Sequence, residues 1–285
     1  MFKPLPLFLG LRYSRSRRRN GFIAFISASS LIGIALGVMA LILGLSAMNG
    51  FERELKNRVL SVVPHGELIG MEAPLPDWPR LRDYLLAQPG IEAAAPVIRL
   101  DGLLEHGSAI KGVQVRAVLP ELEANLSDAG NYMTGLGFRE LQAGEHGVIL
   151  GKTIADKLGV KIGDPVTLLL PQGGDETGIK NPRRETLTVV GLLEIGGQLD
   201  GVLGFMHLTD AQSITGMGSA VEGFSLKVND VLKAQSITVA AARKFPHYVY
   251  ISSWMSRQGY LYQDIQMVRT VMYVVMLMVV AVACF

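Results

Sequence analysis

In this 285-residue chain the run that most resembles reaction chemistry is Gly147-Val-Ile-Leu-Gly151-Lys152-Thr153. A phosphate-binding loop has the spacing G-x-x-x-x-G-K-[ST], and this run is one residue short between its glycines. Its Val-Ile-Leu interior suits a buried strand rather than a loop of free N–H groups. Lys152 therefore reads as a solvated residue in the first turn of a helix. Ser, His and Asp are all present, but no G-x-S-x-G elbow frames a nucleophile and no paired carboxylates stand out. His65, His106, His146, His207 and His247 are scattered without metal-ligand spacing, so neither a metal nor a cofactor is expected. The one cysteine, Cys284, lies in a terminal apolar run, which leaves the rest of the chain without a disulfide and dependent on packing. The chain reads as a non-enzyme.

The other suggestive residues cluster at the ends of two apolar segments. Met48, Phe51 and Leu55 follow the first, and Tyr260, Leu261, Ile265 and Met267 precede the second. Met-rich, aromatic surfaces suit yielding contact with acyl chains; the plainer reading is that two stalk helices pack together. Asp264 is the only acid between Arg257 and Phe285, and its plain role is a solvated or Arg-paired charge. Within the first segment Gly33, Gly37, Ala40 and Gly44 recur at i, i+4, i+7 and i+11, one face of a helix. Small residues let helices approach closely in lipid. That face packs either on later helices of this chain or on a partner subunit.

These positions need a membrane. Hydrophobic residues make up 49% of the chain, and the surplus sits at its two ends. No charge occurs from Gly21 to Phe51 or from Thr270 to Phe285. Roughly 20 apolar residues at about 1.5 Å each cross a bilayer, so the first segment is long enough. It has the basic flank of a signal peptide, but its apolar run is far longer and no A-x-A site follows. The second runs apolar to the last residue, as in a larger permease cut part-way into its next span. Lys3, Arg12, Arg15, Arg17, Arg18 and Arg19 precede the first segment, and the first acid is Glu52. Basic flanks stay cytoplasmic, which puts the N-terminus inside and the middle of the chain outside. From Glu52 to Val268 there are 20 Lys/Arg and 25 Asp/Glu, a balance of −5. The basic start is topogenic, and no nucleic-acid partner is expected.

The expected division is a cytoplasmic start at 1–20, a spanning helix at 21–48, an exported domain at 49–266 and a second span at 267–285. Phe51, Leu55, Val59 and Val62 at helical spacing extend the first span into a stalk stopped by Pro64. GELIG reads as a strand, and PDWPRLRDYLLAQPG as a helix with Leu81, Tyr84 and Leu85 inward. Two strands meet at His106–Gly107–Ser108. Beyond an ill-defined stretch near Asn125–Gly137, HGVILG is a strand, Thr153–Leu158 a helix, Lys161–Asp164 a turn, and PVTLLLP, LTVVGLLEI, GFSLKV and HYVYI further strands. A helix begins at Asp230, and another runs unbroken into the second span. Strands and helices mix without regular alternation, so the fold class is integral membrane, α+β.

The phrases GLRYSRSRRR, SLIGIALGV, LSAMNGFEREL, VVPHGE and DIQMVRTVMY resemble the lipoprotein-releasing permeases of Gram-negative bacteria, the LolC/LolE family within the MacB- and FtsX-like transporters. The resemblance covers nearly the whole chain and is closer to the LolE branch. It implies two lobes, 49–135 with 236–266, and 136–235. It also implies a paralogous LolC-like permease subunit, a LolD-like ATPase dimer that hydrolyses the ATP, acylated lipoproteins as cargo, the inner membrane as location, and a LolA-like periplasmic chaperone met mainly through the other subunit. The LolC branch recruits that chaperone with a hook, and the matching loop here, Pro171–Pro182, lacks its apolar tip. Exposing acyl chains costs about 0.8 kcal/mol per CH₂, so extraction requires an external energy source and a sheltered path. Two other readings fit the same plan: an FtsX-like scaffold relaying ATPase motion to a periplasmic hydrolase, and a membrane-anchored ligand sensor.

Overall fold

The computed structural model describes residues 21–54, 61–71, 74–135, 137–171, 181–196, 199–257 and 259–284. The chain divides into two compact units, one made of Met1–Glu52 with Gln263–Phe285, the other of Arg53–Tyr262.

The first unit contains most of helix α1 (Gly21–Glu54) and most of the last helix, α8 (Gly259–Cys284). In α1 the stretch Phe25–Gly50, 26 residues, is long and apolar enough to cross a bilayer. Its least exposed positions are Ile34, Gly37, Leu41, Gly44, Leu45 and Met48, a stripe of three- and four-residue steps. In α8 the apolar stretch is shorter, Met267–Met278. Of the stalk expected from Phe51 to Pro64, α1 carries the start as far as Glu54, 55–60 lie outside the described residues, and Val62 is buried in a core cluster, no longer helical.

The second unit holds nine strands: β1 (Gly66–Gly70), β2 (Ile91–His106), β3 (Ala109–Val118), β4 (Gly147–Gly151), β5 (Pro165–Leu170), β6 (Arg183–Leu193), β7 (Leu203–His207), β8 (Gly223–Val228) and β9 (Val249–Ser253). Helices α2 (Trp78–Leu86), α3 (Pro120–Leu126), α4 (Lys152–Leu158), α5 (Leu208–Thr215), α6 (Ala234–Ala242) and the single turn α7 (Trp254–Arg257) join them. The pairing closes a ring in the order β2, β3, β7, β4, β6, β5 and back to β2, a six-stranded barrel. Strand β2 is long enough to serve twice. Its second half lies in the barrel, and its first half pairs with β8 in an open sheet ordered β2, β8, β1, β9.

Sequence explains much of this. Two residues, Gly107 and Ser108, join β2 to β3, and Gly107 takes φ +59°, as a tight hairpin turn requires. Barrel strands alternate: Val148 and Leu150 of β4 enter the main core with Leu168, Leu187 and Val189, while Ile149 joins a second core with Phe205, Leu193 and Phe138. Both faces of β4 are thus buried. The barrel takes β2 and β3 from the expected lobe 49–135, and β8, from the expected lobe 136–235, pairs with β1 and β2. Strand pairing therefore does not follow the boundary at 135/136. The sequence reading assigned no element to 203–215, where β7 and α5 lie. Leu203 and Phe205 face one core and Met206 the other, so β7 shows no clean apolar–polar alternation. The cap of α5 is His207, whose Nδ1 accepts from Thr209 N at 3.2 Å, in place of the usual Ser, Thr, Asp or Asn.

Candidate functional site

The phosphate-loop look-alike dissolves into packing. Gly147 and Gly151 are the ends of β4, and a Cβ at Gly151 would lie 2.7 Å from the carbonyl carbon of Asp200. A Cβ at Gly147 would press on Val190 at 3.1 Å. Gly151 thus allows close backbone approach, and Gly147 makes room for a valine side chain. Lys152 opens α4, is exposed, and pairs with Glu194 Oε1 at 3.0 Å; that hydrogen bond and charge raise its pKa. Among the described residues no group of three or more His, Cys, Asp or Glu is placed to hold a metal.

Chain connectivity gives a stronger candidate. The segment arriving from α1 enters the second unit on β1, and the segment departing for α8 leaves on β9. These two strands are antiparallel neighbours, with Gly66 opposite Ser253. Entry and exit therefore share one end of one strand pair.

The sequence Pro64-His65-Gly66-Glu67 builds the entry. His65 N donates to Leu226 O at 3.0 Å, and its Nδ1 accepts from Val228 N at 3.1 Å, closing the end of β8. Its carbonyl accepts from Trp254 N at 3.2 Å, tying the entry strand to the first residue past β9. Trp254 is buried against Val228 and Ala234, and its Nε1 donates to Val231 O at 2.8 Å. At Gly66 any side chain would collide with Thr238 of α6, so glycine lets that helix lie against the strand. Ser253 Oγ donates to Gln235 Oε1 at 2.5 Å, holding the exit strand to the same helix.

Glu67 completes the entry with a buried charge. Arg116 Nη1, on barrel strand β3, donates to Glu67 Oε1 at 2.6 Å, and Arg116 Nη2 donates to Ser225 Oγ on β8 at 2.7 Å. Arg99 on β2 approaches Glu67 Oε2 at 3.9 Å and binds Glu222 through Nη2 at 2.8 Å and its backbone N at 2.6 Å. Burial lowers the pKa of Arg99, but the hydrogen bond and charge of Glu222, with Glu67 and Asp101, raise it overall. Glu123 of α3 is 1% exposed, and its Oε1 accepts from Ser127 Oγ at 3.3 Å. Burial pushes its carboxyl upward, against the opposing pull of Arg116 and Ser127. The network joins the entry strand to the barrel, and its Glu67–Arg116 contact is sealed from water, where charge pairs are strongest.

This network escaped the sequence reading, because a lone Glu in GELIG or a lone Arg in VQVRAV looks like the outward member of an alternating strand. The signal available was a pair of opposite charges set among apolar neighbours, Glu67 before Leu68 and Ile69, and Arg116 between Val115 and Ala117.

The membrane-end residues are placed unevenly. Met48 is half-buried in α1 and Met267 is exposed on α8. Phe51 lies in α1, and Tyr260, Asp264 and Ile265 in α8, but their side chains, like all of Leu55 and most of the loop Pro171–Pro182, fall outside the described residues. In the glycine stripe, Gly44 faces α8, because a methyl group there would collide with the Met272 side chain. Gly37 is half-buried. Gly33 and Ala40 are exposed, and a methyl at Gly33 would meet nothing within 4 Å. One part of the stripe packs within the chain and the other stays open.

Residues 27–245 match the MacB-like periplasmic core domain family. Lipoprotein-releasing system transmembrane protein LolE of Haemophilus influenzae is 39% identical over 98% of this chain and 68% of that protein. LolC of Neisseria meningitidis is 34% identical, covering 99% and 68%, and LolC of the same Haemophilus is 26% identical, covering 98% and 69%.

Proposed function

Because the chain belongs to the LolC/LolE family of MacB-like permeases, we propose that it is a transmembrane subunit of an ABC transporter that extracts mature lipoproteins from the inner membrane for transfer to a periplasmic chaperone. The observation that carries this reading is the strand pair β1–β9. Two helices of one unit reach a single α+β domain through neighbouring strands, and His65, Trp254 and Glu67 lock those strands to the rest of the domain. Force arriving at either strand is passed by these contacts to the rest of the domain.

On this reading the subunit is non-catalytic, and a separate ATPase dimer supplies the energy. A paralogous permease subunit completes the membrane part, with the basic start in the cytoplasm and the domain in the periplasm. The open face at Gly33 and Ala40 suits the paralogous subunit. Met48, Phe51, Leu55, Tyr260, Ile265 and Met267 line the acyl path, and Asp264 accepts hydrogen bonds from amides beside the acylated cysteine of the cargo.

The test is reconstitution in proteoliposomes with the partner subunits and an acylated lipoprotein. ATP-dependent appearance of the lipoprotein on a soluble acceptor is expected. A complex that hydrolyses ATP and activates a periplasmic hydrolase while leaving the lipoprotein in the bilayer would instead establish the FtsX-like scaffold.

A further inference from the structure

The barrel has no free edges, because its strands close on themselves. The open sheet differs: one end merges through β2 into the barrel, and the other is β9, which among the described residues pairs only with β1. Its alternation shows which groups point outward. Tyr248 O accepts from Met71 N at 3.0 Å and Trp254 N donates to His65 O at 3.2 Å, so even-numbered residues bond inward to β1. Val249, Ile251 and Ser253 turn their main-chain groups the other way. Ser256 Oγ takes Ser253 N at 2.9 Å, which leaves the amides of Val249 and Ile251 facing out.

Edges are ordinarily guarded by lysine, proline or an inward charge, and VYISS contains none of these. Beside the edge lies a cavity of about 420 Å³ lined by Val239, Ala242, Phe245 and Ile251 with Arg243 and His247. Tyr248, just before the strand, and Tyr250, within it, are 78% and 62% exposed. Aromatic side chains at such positions pack on the residues of an added strand.

Charge identifies the occupant. From Val231 to Gln263 there is no acid, but Lys233, Arg243, Lys244 and Arg257 are present, in a domain with a balance of −5. Arg243 and Lys244 are exposed, with no ion pair recorded among the described residues.

We infer that the outer edge of β9 is a docking strand for an extended, acidic peptide segment of a partner protein, whose backbone pairs with Val249 and Ile251 and whose carboxylates meet Arg243 and Lys244. This is recognition by strand addition: main-chain pairing supplies affinity, and flanking side chains supply specificity. An anionic lipid surface shares the charge preference, but its headgroups cannot fill the outward amides in register. The inference stands independently of the transport reading.

The test uses the full chain in detergent micelles and a fluorescein-labelled Glu-Val-Glu-Val-Glu-Val-Glu peptide. Three probes accompany it: the Lys-Val counterpart, the acidic peptide N-methylated at alternate residues, and phosphatidylglycerol vesicles. The acidic peptide binds tighter than its N-methylated form by about tenfold, as expected when one or two main-chain hydrogen bonds are lost. Val249→Pro removes an outward N–H without touching the β1 ladder and weakens binding by a similar factor. Reversal of charge in Arg243→Glu with Lys244→Glu switches the preference to the lysine peptide, a gain that misfolding cannot produce. Equal binding of the N-methylated peptide, or an unchanged preference after charge reversal, overturns the inference. So do vesicles that bind through Arg243 and Lys244 while the acidic peptide does not.

Discussion

Arg116 and Glu67 meet at 2.6 Å with side chains 4% and 0% exposed, so a sealed ion pair connects the entry strand β1 to barrel strand β3. Removing one member leaves the other charged and buried, which costs about 3–5 kcal/mol, whereas an apolar pair of similar volume is often tolerated. Glu67→Gln is expected to lower the unfolding free energy, taken from urea denaturation followed by circular dichroism, by an amount in that range. The double variant Glu67→Leu with Arg116→Met is expected to recover most of it. A double variant as unstable as Glu67→Gln alone would show that the pair is held by more than charge compensation.

Glu123 gives stability a pH dependence. Its folded pKa lies above the ordinary 4.5 because burial disfavours the carboxylate. Between those two values the folded state binds more protons than the unfolded one, so this contribution is complete below about 4.5 and is lost as pH rises through the folded value. Glu123→Gln mimics the neutral form and is expected to melt higher than the parent at pH 8. The difference should shrink as the buffer is taken toward pH 5. A gap that is constant across that range assigns the effect to packing.

The glycine stripe separates into two testable halves. Gly44→Leu is expected to disturb the α1–α8 pair, because Met272 already occupies the space, and a disulfide placed between those helices should then form poorly. At Gly33 an added Cβ meets no described residue within 4 Å, and Gly33→Leu is expected to leave that cross-link intact while reducing recovery of partner subunits in detergent. Equal subunit recovery from the Gly33→Leu variant and the parent would mean the open half faces lipid.

At the membrane end, Phe51→Asp is expected to abolish photocrosslinking of an acylated lipoprotein while sparing association with the ATPase. A carboxylate there faces acyl chains that offer it no hydrogen bond. Unchanged crosslinking would remove Phe51 from the acyl path.

Elements with one buried face were legible in the sequence. The β2–β3 hairpin, α2 with Leu81 and Leu85, the β4–α4–β5 run and β9 all follow from alternation, helical spacing and turn residues. Strand β7, buried on both faces, was not legible, nor was the closure of the barrel. Closure depends on parallel pairings such as β3 with β7 and β4 with β6, between strands far apart in sequence. The motif Pro64-His65-Gly66-Glu67 was legible only as a family mark. Its physical reasons lie on β8, α6 and β3, each more than 45 residues downstream, and local patterning cannot report them.

The shared end of β1 and β9 sets how the domain answers force. Pulling the strand ends at Gly66 and Ser253 apart opens their hydrogen bonds one rung at a time, as a zipper opens. Pulling β1 along its own axis instead slides it against β8, and all the rungs of that ladder carry the load at once, along with the Glu67–Arg116 pair. The strand pair is therefore soft to peeling and stiff to shear, so a pull along β1 passes into the barrel while a pull that parts the strand ends is spent on the outermost rungs.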